Sequence, residues 1–395
     1  MGTNYDGVFE GGGAKGVAFV GALDLLQQAG RWYDRVAGTS AGAITASLIA
    51  CGYPATCGSA SDCSAPGHDE CIKGLIFNTQ FQQFMDHPSA DTITRQEKEN
   101  CLLMQLLEKV KLPLTPKWVE RCISRLVLNG LLLLPDFRFL FNWLEKGGIY
   151  EGEVFRLWMN QAIHRRLCAL AERNDLPPPS AFPTFSEAKA ITQIHLSVVA
   201  SNLTKDQVLI LNENTTPDLA IADAVRMSMS IPFFYRPVIF QGNDVVDGGV
   251  ISNYPMFLFS EENDYVHNTL EELKRMNLGL MLDERIGSPE PSREMVLQER
   301  VTGAEAENER ALLGPYQRVL HLVDTMLSAR DAMHMKNEYH NRTIRLPVKG
   351  YSTIQFQMTL DQKRDLCDRG WSATADFLSQ WEGVSALPPN PYAAE

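Results

Sequence analysis

Short apolar runs alternate along much of this chain with stretches in which apolar side chains recur every three or four positions. YDGVFE, at 5–10, reads as a short strand. Val17 to Ala29 reads as a helix with Val17, Val20, Leu23 and Leu26 on one face. DRVAG, at 34–38, is a second strand, and the small-residue helix SAGAITASLIACG follows it until Gly52 and Pro54 end it. QIHLSVVASN (193–202) and QVLILN (207–212) are near-continuous apolar runs of the kind buried strands carry. PDLAIADAVRMSMS (217–230) reads as a helix stopped by Pro232, and DVVDGG (244–249) and LGLMLDE (278–284) supply two more strands. A polar helical stretch from about Glu294 to Glu338 precedes the strand RTIRLPV (342–348) and a last helix near Leu360 to Leu378. This order predicts an α/β fold whose central sheet is mostly parallel and covered by helices.

Residues 55–150 break the alternation. They open with a loop rich in Cys, Ser, Gly and Pro and continue as helical segments rich in Leu, Phe and Trp, which predicts an insertion at the sheet's catalytic edge. NDLPPPSAFP (174–183) reads as a proline-rich connection within one domain spanning 1–395, and 294–395 as a closing region of helix and strand. No internal repeat is present. The net charge of −12 argues against nucleic acid as a partner, and no polybasic stretch opposes that reading. The N-terminal residues lack a basic segment followed by an apolar one, and Asp6 stands where a myristoylation motif has Ser or Thr. No apolar run reaches the length of a membrane span. The expectation is therefore a cytoplasmic chain, associated with a membrane surface or exported without a cleavable signal.

Three consecutive glycines, Gly11, Gly12 and Gly13, fall where the first strand gives way to the first helix. Glycine in a row is entropically expensive, so the backbone there needs unusual dihedrals or close approach by another group. A phosphate-binding P-loop requires Lys and then Ser or Thr after its last glycine, but Gly16 is followed by Val17 and Ala18. Gly11, Gly13 and Gly16 do fit a dinucleotide fingerprint. Its ribose-binding acid should end the second strand, whereas Asp34 begins it. What ends that strand is GTSAG: Gly38, Thr39, Ser40, Ala41 and Gly42. This is G-x-S-x-G, a tight strand-to-helix turn that exposes a serine hydroxyl. A glycine turn and a serine elbow after consecutive parallel strands lie at the same end of the sheet. Amides at a helix start can then hold the oxyanion of an ester intermediate beside Ser40. As base, Asp247 in VVDGG ends an apolar strand before Gly248 and Gly249. None of the eight histidines sits in a recognisable motif, and His195 begins a buried strand as a core residue would.

GGGAKG, GTSAG and DGG, in this order, resemble the three signatures of the patatin-like phospholipases. GIYEGEVFRLWM, ADAVRMSMSIPFFYRPV and RTIRLPVKGYSTIQFQMTLDQKRDL extend the likeness to roughly three-quarters of the chain, with 55–140 left uncovered. The resemblance implies a three-layer fold with a helical cap and a Ser-Asp dyad, Ser40 as nucleophile and Asp247 as base. It also implies an oxyanion hole from the loop of Gly11, Gly12, Gly13, Lys15 and Gly16, with Gly12 and Gly13 the main donors. Lys15 is expected to face solvent; turned inward, it would lower the Asp247 pKa. The expected substrates are acyl esters of phospholipids or lysophospholipids, reached through peripheral membrane contact and with room for a protein or small-molecule activator. No cofactor or metal is expected for the chemistry. The same dyad would suit a non-specific lipase, a thioesterase or an acyltransferase, and a silent membrane- or partner-binding module is the rival outside enzymes. Asn202, where many members carry Asp, is a departure affecting only local loop structure.

Two further features carry expectations. Cys51, Cys57, Cys63 and Cys71 cluster in sequence, with His68 before the last. No two of these cysteines are spaced by two to four residues, so loop thiols, or a Cys57–Cys63 bridge in an oxidising compartment, are expected over zinc. Residues 95–148 carry nine Lys or Arg against six Asp or Glu. They also hold Leu131 to Leu134, Phe137, Phe139, Leu140, Phe141, Trp143 and Leu144, with Arg138 and Lys146 among them. That pattern suits a cap meeting anionic lipid, and equally a segment packed onto the sheet as core.

Overall fold

The structure is a computed structural model that describes residues 3–57, 67–86, 98, 101, 104, 105, 117–132, 141–259, 277–284, 286, 342–381 and 387–393. The predicted helix at 294–338, Cys63 and Leu133 to Leu140 lie outside the described residues.

Strands β1 (Thr3–Phe9), β2 (Arg31–Thr39), β4 (His195–Asn202), β9 (Asn277–Asp283) and β10 (Thr343–Pro347) form a parallel block in the order β10-β9-β1-β2-β4. Antiparallel strands β5 (Gln207–Leu211), β8 (Asn243–Asp247) and β7 (Val238–Phe240) extend it beyond β4, while β3 (Gly148–Tyr150) and β6 (Phe233–Tyr235) pair separately. The fold is thus α/β with a central, mostly parallel sheet, as expected. The strands β3, β6 and β7 were not legible because each is only three residues long, too short for periodicity to register.

Side chains alternate across the sheet as the pleat dictates. Phe9, Val36 and Val198 enter the large core, whereas their neighbours Val8, Ala37 and Val199 meet Met256, Leu258 and Phe259 on the opposite face. The large core is covered by α1 (Ala18–Gln28), α2 (Ala41–Ala50) and the C-terminal helix α8 (Leu360–Trp381). The predicted helix at 17–29 begins one residue later than expected, after a 3-10 turn over Gly13–Val17. Two helices not singled out above, α5 (Glu153–Arg173) and α6 (Phe185–Thr192), complete the cover. The α6 start carries a capping box between Thr184 and Glu187. The start of α5 is capped from a distance, the Asp86 carboxylate accepting the amides of Gly152 (2.6 Å), Glu153 (2.7 Å) and Val154 (3.1 Å).

Within 55–150, two different environments appear. Ala55, Ile72, Leu75, Phe77 and Phe84, from helix α3 (Ile72–Asn78) and its flanks, belong to the main core. Cys101, Met104, Leu128, Leu132 and Phe141, with helix α4 (Lys117–Leu131), make a small core of their own. Leu132 and Phe141 are therefore packing residues, and Trp143 is half-buried with its ring 6.5 Å from that of Phe233. Leu144, Ile123, Leu126 and Val127 are exposed. No described helix is long and apolar enough to cross a membrane.

Candidate active site

The carboxyl ends of β1 and β2 carry the two glycine motifs side by side, because these strands are parallel and pair Phe9 with Gly38. Past β1 the chain is held by Asn253. Its carbonyl accepts the Gly11 amide (3.0 Å), and its side chain donates to Glu10 Oε1 (3.3 Å) and the Gly11 carbonyl (3.2 Å). Gly13 has φ 54°, and a Cβ there would lie 2.1 Å from the Thr353 carbonyl oxygen, so glycine meets both a conformational and a steric demand. Among the described residues the amides of Gly12 and Gly13 have no hydrogen-bond partner.

Other members of the expected donor loop are engaged elsewhere. The Gly11 amide is spent on Asn253, and the Lys15 amide donates to the Gly12 carbonyl (3.2 Å). Lys15 does not face solvent as expected: it is buried, with its ammonium paired to Glu284. Gly16 serves packing, since a Cβ there would lie 2.8 Å from that of Ala41.

Ser40 adopts φ 52° and ψ −119°, a strained conformation for a residue with a side chain. The turn is tight because α2 starts directly against β1. A Cβ on Gly42 would lie 2.1 Å from the Phe9 carbonyl oxygen, and one on Gly38 2.3 Å from the Gly42 backbone. Thr39 ties the turn to the carbonyl of Ser252 (3.0 Å), and the Ser40 amide donates to Ser228 Oγ (2.9 Å). The Ala41 amide, at the start of α2, has no partner among the described residues.

Register brings Asp247 to this serine. On β4, Val199 pairs with Thr39 and the next residue, Ala200, pairs with Asp247, so one step along β4 separates the ends that carry Ser40 and the aspartate. Asp247 Oδ1 accepts the Gly249 amide (2.8 Å), and Oδ2 is buried without a hydrogen-bond partner. Burial pushes the Asp247 carboxyl up to about 7, with the nearby Ser40 hydroxyl and the Gly249 amide pulling the other way. Gly248 lets the turn lie against β4, where a Cβ would meet the Val199 carbonyl oxygen at 2.4 Å. His195, by contrast, pairs in register with Arg35, in the middle of β2 and five residues before Ser40. Five residues of strand at about 3.3 Å each put it roughly 16 Å away, and its ring is paired with Glu213.

Beside Ser40 opens a cavity of about 650 Å³, counting its solvent-open mouth. Gly13 and Ala41 line its polar end, and Ile44, Phe84, Phe155, Trp158, Met229 and Phe356 are among the apolar side chains beyond them. A serine hydroxyl beside a buried carboxyl, unpaired backbone amides and an apolar trench together suit acyl transfer from a long-chain ester. Sequence reasoning did not find the trench. Its walls come from segments scattered between Ile44 and Phe356, and no single stretch records them.

Elsewhere, Cys57 and Cys71 are free thiols, one of the states expected for them, and they come together with His68. Cys51 is not among them; it is buried in the core, and burial pushes its thiol pKa up.

Comparison with known proteins adds the following. The model of the family described as patatin-like phospholipase matches residues 7–58 and 81–259. That match includes most of the segment the motifs alone left uncovered. YqhO of Bacillus subtilis (strain 168) is 28% identical over 389 residues, covering 95% of this chain and 98% of the relative. A probable lipid hydrolase, 463L, of Invertebrate iridescent virus 6 is 37% identical over 73 residues, 18% of this chain and 25% of its own. Among solved structures, VipD from Legionella pneumophila is 19% identical with a TM-score of 0.47, covering 95% of this chain and 67% of VipD.

Proposed function

The chain belongs to the patatin-like phospholipases, and on that premise we propose that it hydrolyses acyl esters of phospholipids or lysophospholipids with Ser40 as nucleophile and Asp247 as base. The ionised Asp247 carboxylate accepts the Ser40 proton as Oγ attacks the ester carbonyl. The amides of Gly12 and Gly13, pre-oriented by the glycine loop, receive the negative charge that develops on the carbonyl oxygen. Collapse breaks the ester bond, and protonated Asp247 returns its proton to the departing alcohol. Water then gives a proton to Asp247, attacks the acyl-enzyme and releases a fatty acid, with the proton returning to Ser40.

The observation that carries this reading is the buried, half-unpartnered Asp247 carboxyl facing a strained serine at the mouth of an apolar trench. A carboxylate at its ordinary pKa is a weak base; one raised to about 7 is matched to work near neutrality. The trench favours a long acyl chain over a small polar ester. Helix α4, with Ile123, Leu126 and Val127 exposed, supplies apolar surface for a bilayer. The test is fatty-acid release from labelled phospholipid and lysophospholipid vesicles. Wild-type protein should release fatty acid and Ser40→Ala protein should release none. Equal release by the two, or none by either on any acyl ester, would overturn the proposal.

A further inference from the structure

Residues 59–80, which include His68 and Cys71, lie between the two family-matched stretches, and Cys57 lies just before them. Cys57 Sγ lies 3.0 Å from His68 Nε2, and the donor atoms of Cys57, His68 and Cys71 all fall within 4.8 Å of one another. Tetrahedral zinc, with bonds of about 2.3 Å to sulfur and 2.0 Å to nitrogen, places its donors about 3.5–3.8 Å apart. The three atoms therefore converge on one point and need only shifts on the order of an ångström to share an ion.

His68 and Cys71 are held by contacts independent of any ion. Cys71 caps α3, its sulfur accepting the Gly74 amide at 3.3 Å. The His68 carbonyl accepts from Asn78 Nδ2 (2.8 Å) at the far end of the same helix. A Cβ on Gly74 would lie 2.3 Å from that carbonyl oxygen, so the loop packs flat on the helix. Asp69 is fixed to Arg165 of α5 through both its carboxylate and its carbonyl. Thiolate and imidazole together are soft and borderline donors, which select zinc over calcium or magnesium.

We propose that Cys57, His68 and Cys71 form a structural zinc site that ties Cys57 and His68 to the start of α3, with its fourth corner closed by a donor outside these three. Binding displaces a proton from each cysteine thiol and takes the neutral imidazole. The site is separate from catalysis: none of its residues lines the trench beside Ser40. Its effect is on the trench wall. Ile76 of α3 lines that trench, followed by Phe81 and Phe84. The other end of α3 is held by Lys363, whose ammonium donates to the carbonyls of Ile76 (2.8 Å), Phe77 (3.3 Å) and Thr79 (2.9 Å). The zinc clip and Lys363 thus fix the wall from its two ends.

The experiment measures zinc in the full chain by elemental mass spectrometry, before and after a mercurial displaces it into a colorimetric zinc dye. About one zinc per chain is expected, released by the mercurial and lost in Cys71→Ser and His68→Asn proteins. Because those variants can fail to fold, cobalt is also exchanged into wild-type protein. A tetrahedral visible spectrum with a thiolate-to-cobalt charge-transfer band is expected. Ser40→Ala protein, inactive by the preceding reading, should hold the same metal, so either claim can fail alone. Wild-type protein that holds no zinc and gives cobalt no thiolate band would overturn the site. So would a Cys57–Cys71 disulfide in freshly isolated protein, or zinc retained in full by His68→Asn.

Discussion

Replacing Asp247 by Asn should silence the enzyme and, above neutral pH, stabilise the fold. The buried carboxyl is raised from its ordinary 3.8 to about 7. At about 1.4 kcal/mol per pKa unit, holding it ionised inside the fold costs roughly 4 kcal/mol. The sign follows from linkage. A carboxyl whose folded pKa exceeds its unfolded value binds the extra proton in the folded state. Its contribution is fully present below about pH 4 and is lost as pH rises through about 7. Asparagine has the same shape and no charge, so its advantage over aspartate should grow by about 2–3 kcal/mol between pH 5 and pH 8. Paired melting curves of wild-type and Asp247→Asn protein across that range read this difference directly. In parallel, kcat/KM on a short soluble ester should rise tenfold per pH unit and level off near pH 7, with Asp247→Asn inactive throughout. A stability difference that stays flat with pH, together with an activity limb near pH 4, would refute the reasoning. The carboxyl would then be solvated, and the base would lie elsewhere.

Four further outcomes follow from the geometry. Gly42→Ala should lose activity at least 100-fold on a soluble ester, on the order of 3 kcal/mol of transition-state stabilisation, because its methyl would sit 2.1 Å from the Phe9 carbonyl oxygen; near-normal turnover would deny the tight elbow. Ile44→Trp, filling the trench, should depress hydrolysis of long-chain esters while sparing short ones, and a parallel loss on both would place the acyl chain elsewhere. Asp6→Asn should destabilise the fold by about 3–5 kcal/mol in chemical denaturation, because it removes the buried carboxylate charge that pairs with the fully buried Arg35 guanidinium. Ile123→Asp combined with Leu126→Asp should reduce vesicle binding and vesicle hydrolysis while leaving soluble-ester turnover and melting temperature intact; a fall in all four would make α4 a core element.

The glycines that shape the candidate site could be read from sequence, because local backbone demands leave a residue signature there. Gly38 and Gly42 are required by contacts of 2.3 and 2.1 Å, and such contacts admit only glycine. The parallel order of β1, β2 and β4 followed from apolar runs separated by helices. What the sequence hid was set by tertiary contact. Lys15 looks like a solvent residue until Glu284, far along the chain, comes to meet it. The Gly11 amide looks like a donor until Asn253 takes it. The segment 55–150, read as one insertion, divides because α3 and α4 reach different apolar partners, which no window of sequence contains. The metal-ligand cluster did leave a trace. His68 and Cys71 are separated by two residues, a ligand spacing visible only when histidine is counted with the cysteines.

The most direct test of the central claim is to trap the nucleophile. A long-chain alkyl fluorophosphonate, which phosphonylates activated serines, is incubated with the protein, and the adduct is located by peptide mass spectrometry. The expected adduct lies on Ser40, forms faster as the pH rises through about 7 with the ionisation of Asp247, and is absent from Ser40→Ala protein. An adduct on another residue, or labelling that survives Ser40→Ala undiminished, would contradict the account.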